Sequence, residues 1–301
     1  MRAIVLRETG DAELLRVEQV PEPEGDTIAV RAAGVNFLDV LVRQGRYPQP
    51  PPLPTTPGTE VAGELDGRRV MALLRHTGGG YAERAEIDPD WVFPLPDRAT
   101  FEEGSAFLMT FLTAWMPLHH VALRPGATVL VHAGSGGVGS AAIQVARHLG
   151  ARVVATASTE EKRELARSLG AAETYGYDEF ADAVKADVVL DPVGGDVFAR
   201  SVGVVNPLGT LIAIGYAGGP WPPLDTQLLV GRNLAVFGFY LGRLMRLSPG
   251  RVHEAANEVL EAWADGDVRP LVGATFPLER AADAHQLIED RRHVGKVVLV
   301  P

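Results

Sequence analysis

Apolar and polar positions follow two different rhythms along this chain. Up to about residue 105 the rhythm is that of short strands, at Ala3–Arg7, Leu15–Val20, Thr27–Val35, Val61–Leu65, Arg69–Leu74 and Tyr81–Ile87. Gly and Pro punctuate them, as in a compact, mostly antiparallel β unit. One helical stretch, 36–44, interrupts, with Phe37, Val40 and Leu41 on one face. From residue 128 to about 240 apolar runs alternate with helical stripes. The runs are Thr128–His132, Arg152–Ala157, Val188–Asp191, Thr210–Gly215 and Leu234–Phe239. The first helix is predicted over Val138–Leu149. The second, Thr159–Leu169, opens on Ser158-Thr159-Glu160-Glu161, a capping-box pattern. Such alternation predicts a doubly wound parallel sheet. Helices at Pro249–Asp265 and Leu278–Asp290 and a strand at Lys296–Val300 complete the pattern.

The connection after the first alternating strand reads His132-Ala133-Gly134-Ser135-Gly136-Gly137-Val138-Gly139. Strand, glycine turn and helix in this order form a dinucleotide-binding fingerprint. Gly134 is expected to make the sharp turn and Gly136 to admit the backbone to a pyrophosphate. Gly139 is expected to let the helix pack close on the sheet. The helix start offers free N–H groups to the phosphates. An acid that holds the ribose hydroxyls of NADH would stand about 20 residues beyond the glycines, at the tip of the second strand. That strand ends Thr156-Ala157-Ser158 with no acid. Glu160 and Glu161 fall in the first helical turn, where they suit the helix dipole. Ser158 and Lys162 offer a hydroxyl and a cation to a 2′-phosphate, although Ser158 also reads as a helix N-cap and Lys162 as a solvated lysine.

Composition narrows the class. With 301 residues, 46% hydrophobic and 22% charged, the chain has room for two domains of a soluble protein. A net charge of −10 argues against a nucleic-acid or anionic-membrane binder. The absence of Cys excludes disulfides and any Cys-ligated zinc. No apolar run reaches spanning length, and the opening residues run straight into a strand, so a cytoplasmic enzyme is expected.

Five ordered motifs carry a resemblance: Gly34-Val35-Asn36-Phe37-Leu38-Asp39, Gly58-Thr59-Glu60-Val61-Ala62-Gly63, Leu112-Thr113-Ala114, the glycine turn, and Glu289-Asp290-Arg291. Together they resemble the quinone oxidoreductase, or zeta-crystallin-like, branch of the medium-chain dehydrogenase/reductase superfamily, over essentially the whole chain. The resemblance implies an α/β protein. A GroES-like, mostly β catalytic domain would span 1–105, completed by 268–301, with a Rossmann NADPH-binding domain over 106–267. Zinc alcohol dehydrogenases of the superfamily carry a Cys where Asn36 stands and a His where Thr59 stands. Glu60 alone cannot replace the roughly three protein ligands of a catalytic zinc. The adjacent His119 and His120 have no partner at metal-site spacing. No metal is therefore expected, and without a Lewis acid the acceptor must take hydride readily.

The same resemblance assigns cofactor contacts. Tyr177 and Arg291 join Ser158 and Lys162 at the 2′-phosphate, with Tyr175 as a rival to Tyr177; the set favours NADPH over NADH. Thr113, Val193, Gly215 and Tyr216 fall toward the nicotinamide, Asn36 toward its ribose or ring, and Phe237 is a further cofactor contact. Tyr47 precedes a loop dense in Pro, from Pro48 to Pro57, and could face the acceptor. Asn36 and Tyr47 are the catalytic candidates, Tyr47 or water being the proton donor if hydride goes to an enone. The expected activity is zinc-independent, NADPH-dependent reduction of a small apolar quinone or enone, by one-electron or hydride transfer. An alkenal or enoyl-thioester double-bond reductase is a second reading, and a non-catalytic NADPH-binding structural or regulatory protein a third. The segment 233–241, apolar from Leu234 onward, as the last strand of the sheet, predicts a homodimer formed along that edge.

Overall fold

The computed structural model describes residues 1–74 and 78–301. The first third of the chain forms β1 (Arg2–Val5), β2 (Arg16–Gln19), β3 (Thr27–Val35), α1 (Phe37–Arg43), β4 (Glu60–Leu65), β5 (Arg68–Leu73), β6 (Arg84–Glu86), β7 (Val92–Pro94) and the single turn α2 (Phe101–Gly104). Helix α3 (Leu108–His120) leads to β8 (Thr128–Val131), α4 (Gly137–His148), β9 (Arg152–Thr156), α5 (Glu160–Ser168) and β10 (Glu173–Tyr175). Then come α6 (Phe180–Ala183), β11 (Ala186–Asp191), α7 (Gly195–Val204), β12 (Val205–Ala213), α8 (Thr226–Arg232) and β13 (Ala235–Gly238). The chain ends with α9 (Leu241–Leu247), α10 (Pro249–Ala264), β14 (Val272–Pro277), α11 (Ala281–Glu289) and β15 (Lys296–Val300). These elements divide into two compact units, Met1–Met109 with Pro270–Pro301, and Thr110–Arg269.

In the first unit the strands β14-β15-β3-β4-β5-β7 form one sheet, β6 also pairs with β3, and β1 and β2 form a separate antiparallel pair. Strand β3 is its hub. Its first half alternates in burial and its last four residues are all buried, because β15, β4 and helix α2 close around that end. Ile4, Ile28, Val30, Val61, Tyr81 and Leu299 fill the core, and Ala281, Ala284 and Ile288 of α11 pack onto it.

The second unit is a six-stranded parallel sheet in the order β10-β9-β8-β11-β12-β13. Numbered within the unit this is 3-2-1-4-5-6, the order of dinucleotide-binding folds. The winding reverses between β8 and β11, and the carboxyl ends of those two strands are the switch point at which such folds bind their ligands. Val129, Leu130 and Val131 are fully buried, with Ala141, Ala142, Ile143, Val145 and Ala146 of α4 buried beside them. That burial is why the periodicity of both elements is so plain in the sequence.

Several elements depart from the pattern. The strand expected over Tyr81–Ile87 shrinks to Arg84–Glu86. Tyr81 instead bonds its N–H to the Pro57 carbonyl, and its own carbonyl accepts from Ile4. Strand β12 starts five residues earlier than expected, at Val205. Strand β10, three residues long, is not foreseen by the pattern, nor are α7, α8, α9 and β14. β13 lies at the sheet's edge, as its place in the sequence implied.

Candidate functional site

The glycine turn joins β8 to α4, but its residues divide the work differently from expectation. The left-handed backbone belongs to Ala133, with φ of 53°, and not to Gly134. A side chain on Gly134 would lie 2.9 Å from the Ala155 Cβ and 3.1 Å from the Ile143 Cδ1, so packing keeps that position bare. At Gly139 a Cβ would come within 2.0 Å of the Ala133 carbonyl oxygen. The close approach there is between helix and turn backbone. Ser135 is buried, and Gly136, Gly137 and Val138 are half-buried. Gly136 is the N-cap of α4 and no side chain caps the helix. Among the described residues the first-turn N–H groups have no side-chain acceptor, which fits an anionic ligand such as a pyrophosphate.

His132, just before the turn, is fully buried and ties three elements. Its Nδ1 lies 2.8 Å from the Thr156 hydroxyl and its Nε2 2.7 Å from the Ser201 hydroxyl. Ser201 donates to the Val197 carbonyl at 2.6 Å, so it accepts from His132, and Nε2 carries the proton. Burial pushes the imidazole pKa down to about 3, with Arg200 adding to the effect. The ring is held neutral and braces β8, β9 and α7 beneath the turn.

At the tip of β9, Thr159 and not Ser158 is the N-cap of α5; its hydroxyl accepts from the Lys162 N–H at 3.3 Å. With Lys162 at the third helical position the reciprocal half of a capping box has no Glu to supply it. Ser158 is exposed and Lys162 half-buried, and partial burial lowers the ammonium pKa. The Tyr175 hydroxyl donates to Glu173 at 2.7 Å. Tyr177 lies half-buried with its ring near-parallel to His132. Arg291 belongs to the first unit, where it follows α11 with φ of 55° and is exposed.

The loops after β11 and β12 hold Val193, Gly215 and Tyr216, and the structure ties them together. The Gly218 N–H donates to the Val193 carbonyl at 2.6 Å, and Gly194 bridges Gly219. Asp191, which sequence reasoning passed over, organises the first loop: its carboxylate accepts from the Val193 and Gly194 N–H groups at 2.7 and 3.1 Å. Burial raises its pKa to about 6 against the pull of those two donors. Tyr216 meets Trp221 edge-on at 4.9 Å. Thr113 is buried within α3. Phe237, on the edge strand β13, stacks on His120 with ring centroids 4.2 Å apart.

The first unit contains a second polar assembly. Asn36 is the N-cap of α1 and forms a capping box with Asp39. Its Nδ2 donates to Glu60 Oε1 at 3.0 Å, and its Oδ1 accepts from Lys296 Nζ at 2.7 Å. Lys296 also pairs with Glu60 at 2.6 Å, and Glu60 Oε2 accepts the Met109 N–H at 3.1 Å. Beside this, the Tyr81 hydroxyl donates to Asp39 at 3.2 Å and lies 3.2 Å from His285 Nε2. Burial raises the Asp39 pKa to about 6 and lowers that of His285 to about 3. Tyr47 is half-buried against the same core.

These side chains do not fit a zinc ion. Glu60 is already bound to an ammonium, Asn36 is engaged at both ends of its amide, and Thr59 offers a buried hydroxyl with no hydrogen-bond partner among the described residues. Among the described residues no group of three or more His, Cys, Asp or Glu could hold a metal. Nor is any helix among them long and apolar enough to cross a membrane.

Comparison with known proteins places this architecture. Residues 23–97 match the alcohol dehydrogenase GroES-like domain and residues 169–299 the zinc-binding dehydrogenase domain. The mouse quinone oxidoreductase is 32% identical over 330 residues, covering 100% of this chain and 98% of its own. The rat synaptic vesicle membrane protein VAT-1 homolog is 32% identical over 346 residues, covering 100% and 84%. Among solved structures, the quinone oxidoreductase of Thermus thermophilus, determined also in complex with NADPH, superposes with a TM-score of 0.90 at 40% identity, covering 100% of both chains. The fold and the glycine turn define an oxidoreductase of the medium-chain dehydrogenase/reductase superfamily. Within it, the chain belongs to the quinone oxidoreductase branch.

Proposed function

We propose that the protein is a cytoplasmic, NADPH-dependent quinone oxidoreductase that works without zinc. The observation that carries the cofactor choice is the acid-free tip of β9 beside the uncapped start of α4, with Lys162 in the first turn of α5. A ribose 2′-hydroxyl has no carboxylate to bind there, whereas a 2′-phosphate has a cation. Ser158, Lys162, Tyr177 and Arg291 are assigned to that phosphate. The turn 134–139 takes the pyrophosphate. Thr113, Val193, Gly215 and Tyr216 are assigned to the nicotinamide side, Phe237 to the cofactor more generally, Asn36 and Tyr47 to the reacting region. When bound, the nicotinamide supplies the reducing equivalents. The chain's part is to position a flat apolar acceptor, exclude water and offer hydrogen bonds.

The test is NADPH and NADH oxidation against a panel of quinones, enones and enoyl thioesters. Turnover of quinones with NADPH is expected; turnover of thioesters alone would move the assignment to a double-bond reductase. Replacing Lys162 by Ala should weaken NADPH binding by about one to two tenfold steps, since a charged hydrogen bond contributes ~1.5–3 kcal/mol. NADH binding should barely change, and an equal loss for both cofactors would remove Lys162 from the phosphate site. Exhaustive chelation should leave activity intact; loss with EDTA and recovery with zinc would overturn the metal-free reading.

A further inference from the structure

We propose that Lys296 is a positioning residue whose buried ammonium fixes the Asn36 carboxamide, so that Asn36 offers an N–H to the acceptor's oxygen. The inference rests on the reading of Asn36 as part of the reacting region. Its geometry stands on the sheet itself. Val297 of β15 pairs with Val35 of β3, and Val61 of β4 pairs with Ala33. The neighbouring positions Lys296, Asn36 and Glu60 therefore meet at one end of three adjacent strands. Lys296 and Glu60 are 4% and 1% exposed, while Asn36 is half-buried.

The chemistry of the three groups leaves one arrangement. An ammonium only donates and a carboxylate only accepts. Lys296 must therefore face Oδ1, at 2.7 Å, and Glu60 must face Nδ2, at 3.0 Å. A flipped amide would set donor against donor at Lys296 and acceptor against acceptor at Glu60. Glu60 cannot swing away to relax this, because its other oxygen holds the Met109 N–H. One Nδ2 hydrogen is engaged by Glu60; the second belongs to the half-buried side chain and remains for a ligand. An N–H held in advance stabilises negative charge that develops on a carbonyl oxygen during reduction.

The choice of residue agrees with this role. The chain uses Arg almost throughout: only Lys162, Lys185 and Lys296 are Lys among its 28 basic residues. A compact point charge can sit between an amide oxygen and a carboxylate oxygen; a planar guanidinium is built for two parallel contacts. A buried ion pair contributes little net stability in itself, so what this one supplies is orientation.

The test uses Lys296→Met and the charge-neutral pair Glu60→Gln with Lys296→Met, the second guarding against misfolding caused by an unpaired carboxylate. Quinone reduction is measured with 1,4-naphthoquinone, NADPH affinity by fluorescence, and the Asn36 side-chain amide by nitrogen-15 NMR on the full chain. The double variant should melt as a folded protein and bind NADPH within about threefold, while kcat falls about tenfold or more with KM for the quinone changed far less. The Asn36 amide hydrogens should be distinct and slowly exchanging in the native protein and should exchange faster in both variants. Native kcat in the folded double variant, or an unchanged Asn36 amide signal, would overturn the proposal. If the native protein reduces no quinone, the functional reading fails, and the amide signal alone still decides whether Lys296 holds Asn36.

Discussion

Ala133 occupies a left-handed conformation that costs an L-residue about 1–2 kcal/mol relative to Gly. Ala133→Gly should therefore raise stability by about 1 kcal/mol, part of the gain being offset by the greater freedom of Gly when unfolded. A melting temperature at or below that of the parent would show the turn to be unstrained. The reverse change at Gly139 should be severe, because its Cβ would meet the Ala133 carbonyl at 2.0 Å; Gly139→Ala should cost about 1–3 kcal/mol or more. His132 carries a pH dependence with a definite sign. Its folded pKa is about 3 against an ordinary 6.5, so below pH 6.5 the unfolded chain takes up the proton more readily. The stabilisation from a neutral buried ring is complete above pH 6.5 and is lost as pH falls toward 3. Asp39 and Asp191, with pKa values raised to about 6, work in the opposite direction between 6 and 3.8. His132→Gln, compared with the parent by urea unfolding at several pH values, isolates the histidine. The parent should lose stability faster than the variant between pH 6.5 and 4, and parallel curves would contradict the assignment.

At the scale of elements, what can be read from the sequence is what repeats. β8, α4, β9 and β11 are buried along a whole face, so their apolar spacing is continuous and the glycine turn between two of them is unambiguous. β10 is three residues, each half-buried, and has no period to detect. β14 alternates in burial, but Gly273 and Pro277 make its sequence look like a loop. The roles inside the glycine turn are misjudged from sequence because a motif records which residues are small, whereas φ is set by the whole connection. The cluster of Asn36, Glu60 and Lys296 is half legible: Asn36 stands in a family motif, but its lysine lies 260 residues away and enters only through the β15–β3 register. The cap of α5 is off by one residue for a similar reason, two hydroxyl residues standing side by side. The helix itself offers a check. Thr159→Ala removes its side-chain cap and should cost about 1 kcal/mol, with faster hydrogen exchange at the Lys162 amide. If Ser158→Ala proves the more damaging of the two, Ser158 is the cap after all.

At the scale of the molecule, the second unit has an unfinished edge. β13 pairs with β12 on one side only, and its central residues Val236 and Phe237 are no more than half-buried. Of the eight large hydrophobic side chains exposed among the described residues, seven fall between 208 and 247, including Leu208 at 83% and Val230 at 78%. An open apolar strand invites uncontrolled pairing unless charges, Pro or a cover blunt it. Segment 233–241 carries neither Lys nor Pro. A second copy presenting the same strand about a two-fold axis would pair both edges in antiparallel fashion and leave none open, which a head-to-tail contact would not achieve. We therefore expect a homodimer joined along β13. Light scattering at micromolar concentration should give twice the 32.2 kDa chain mass, and a single species at the chain mass would refute it. Val236→Pro should abolish the dimer, since it removes a backbone donor from the strand and stiffens it. A dimer that survives this substitution would have to form on another surface, and helices α8 and α9 offer one in the exposed side chains of Val230 and Leu247.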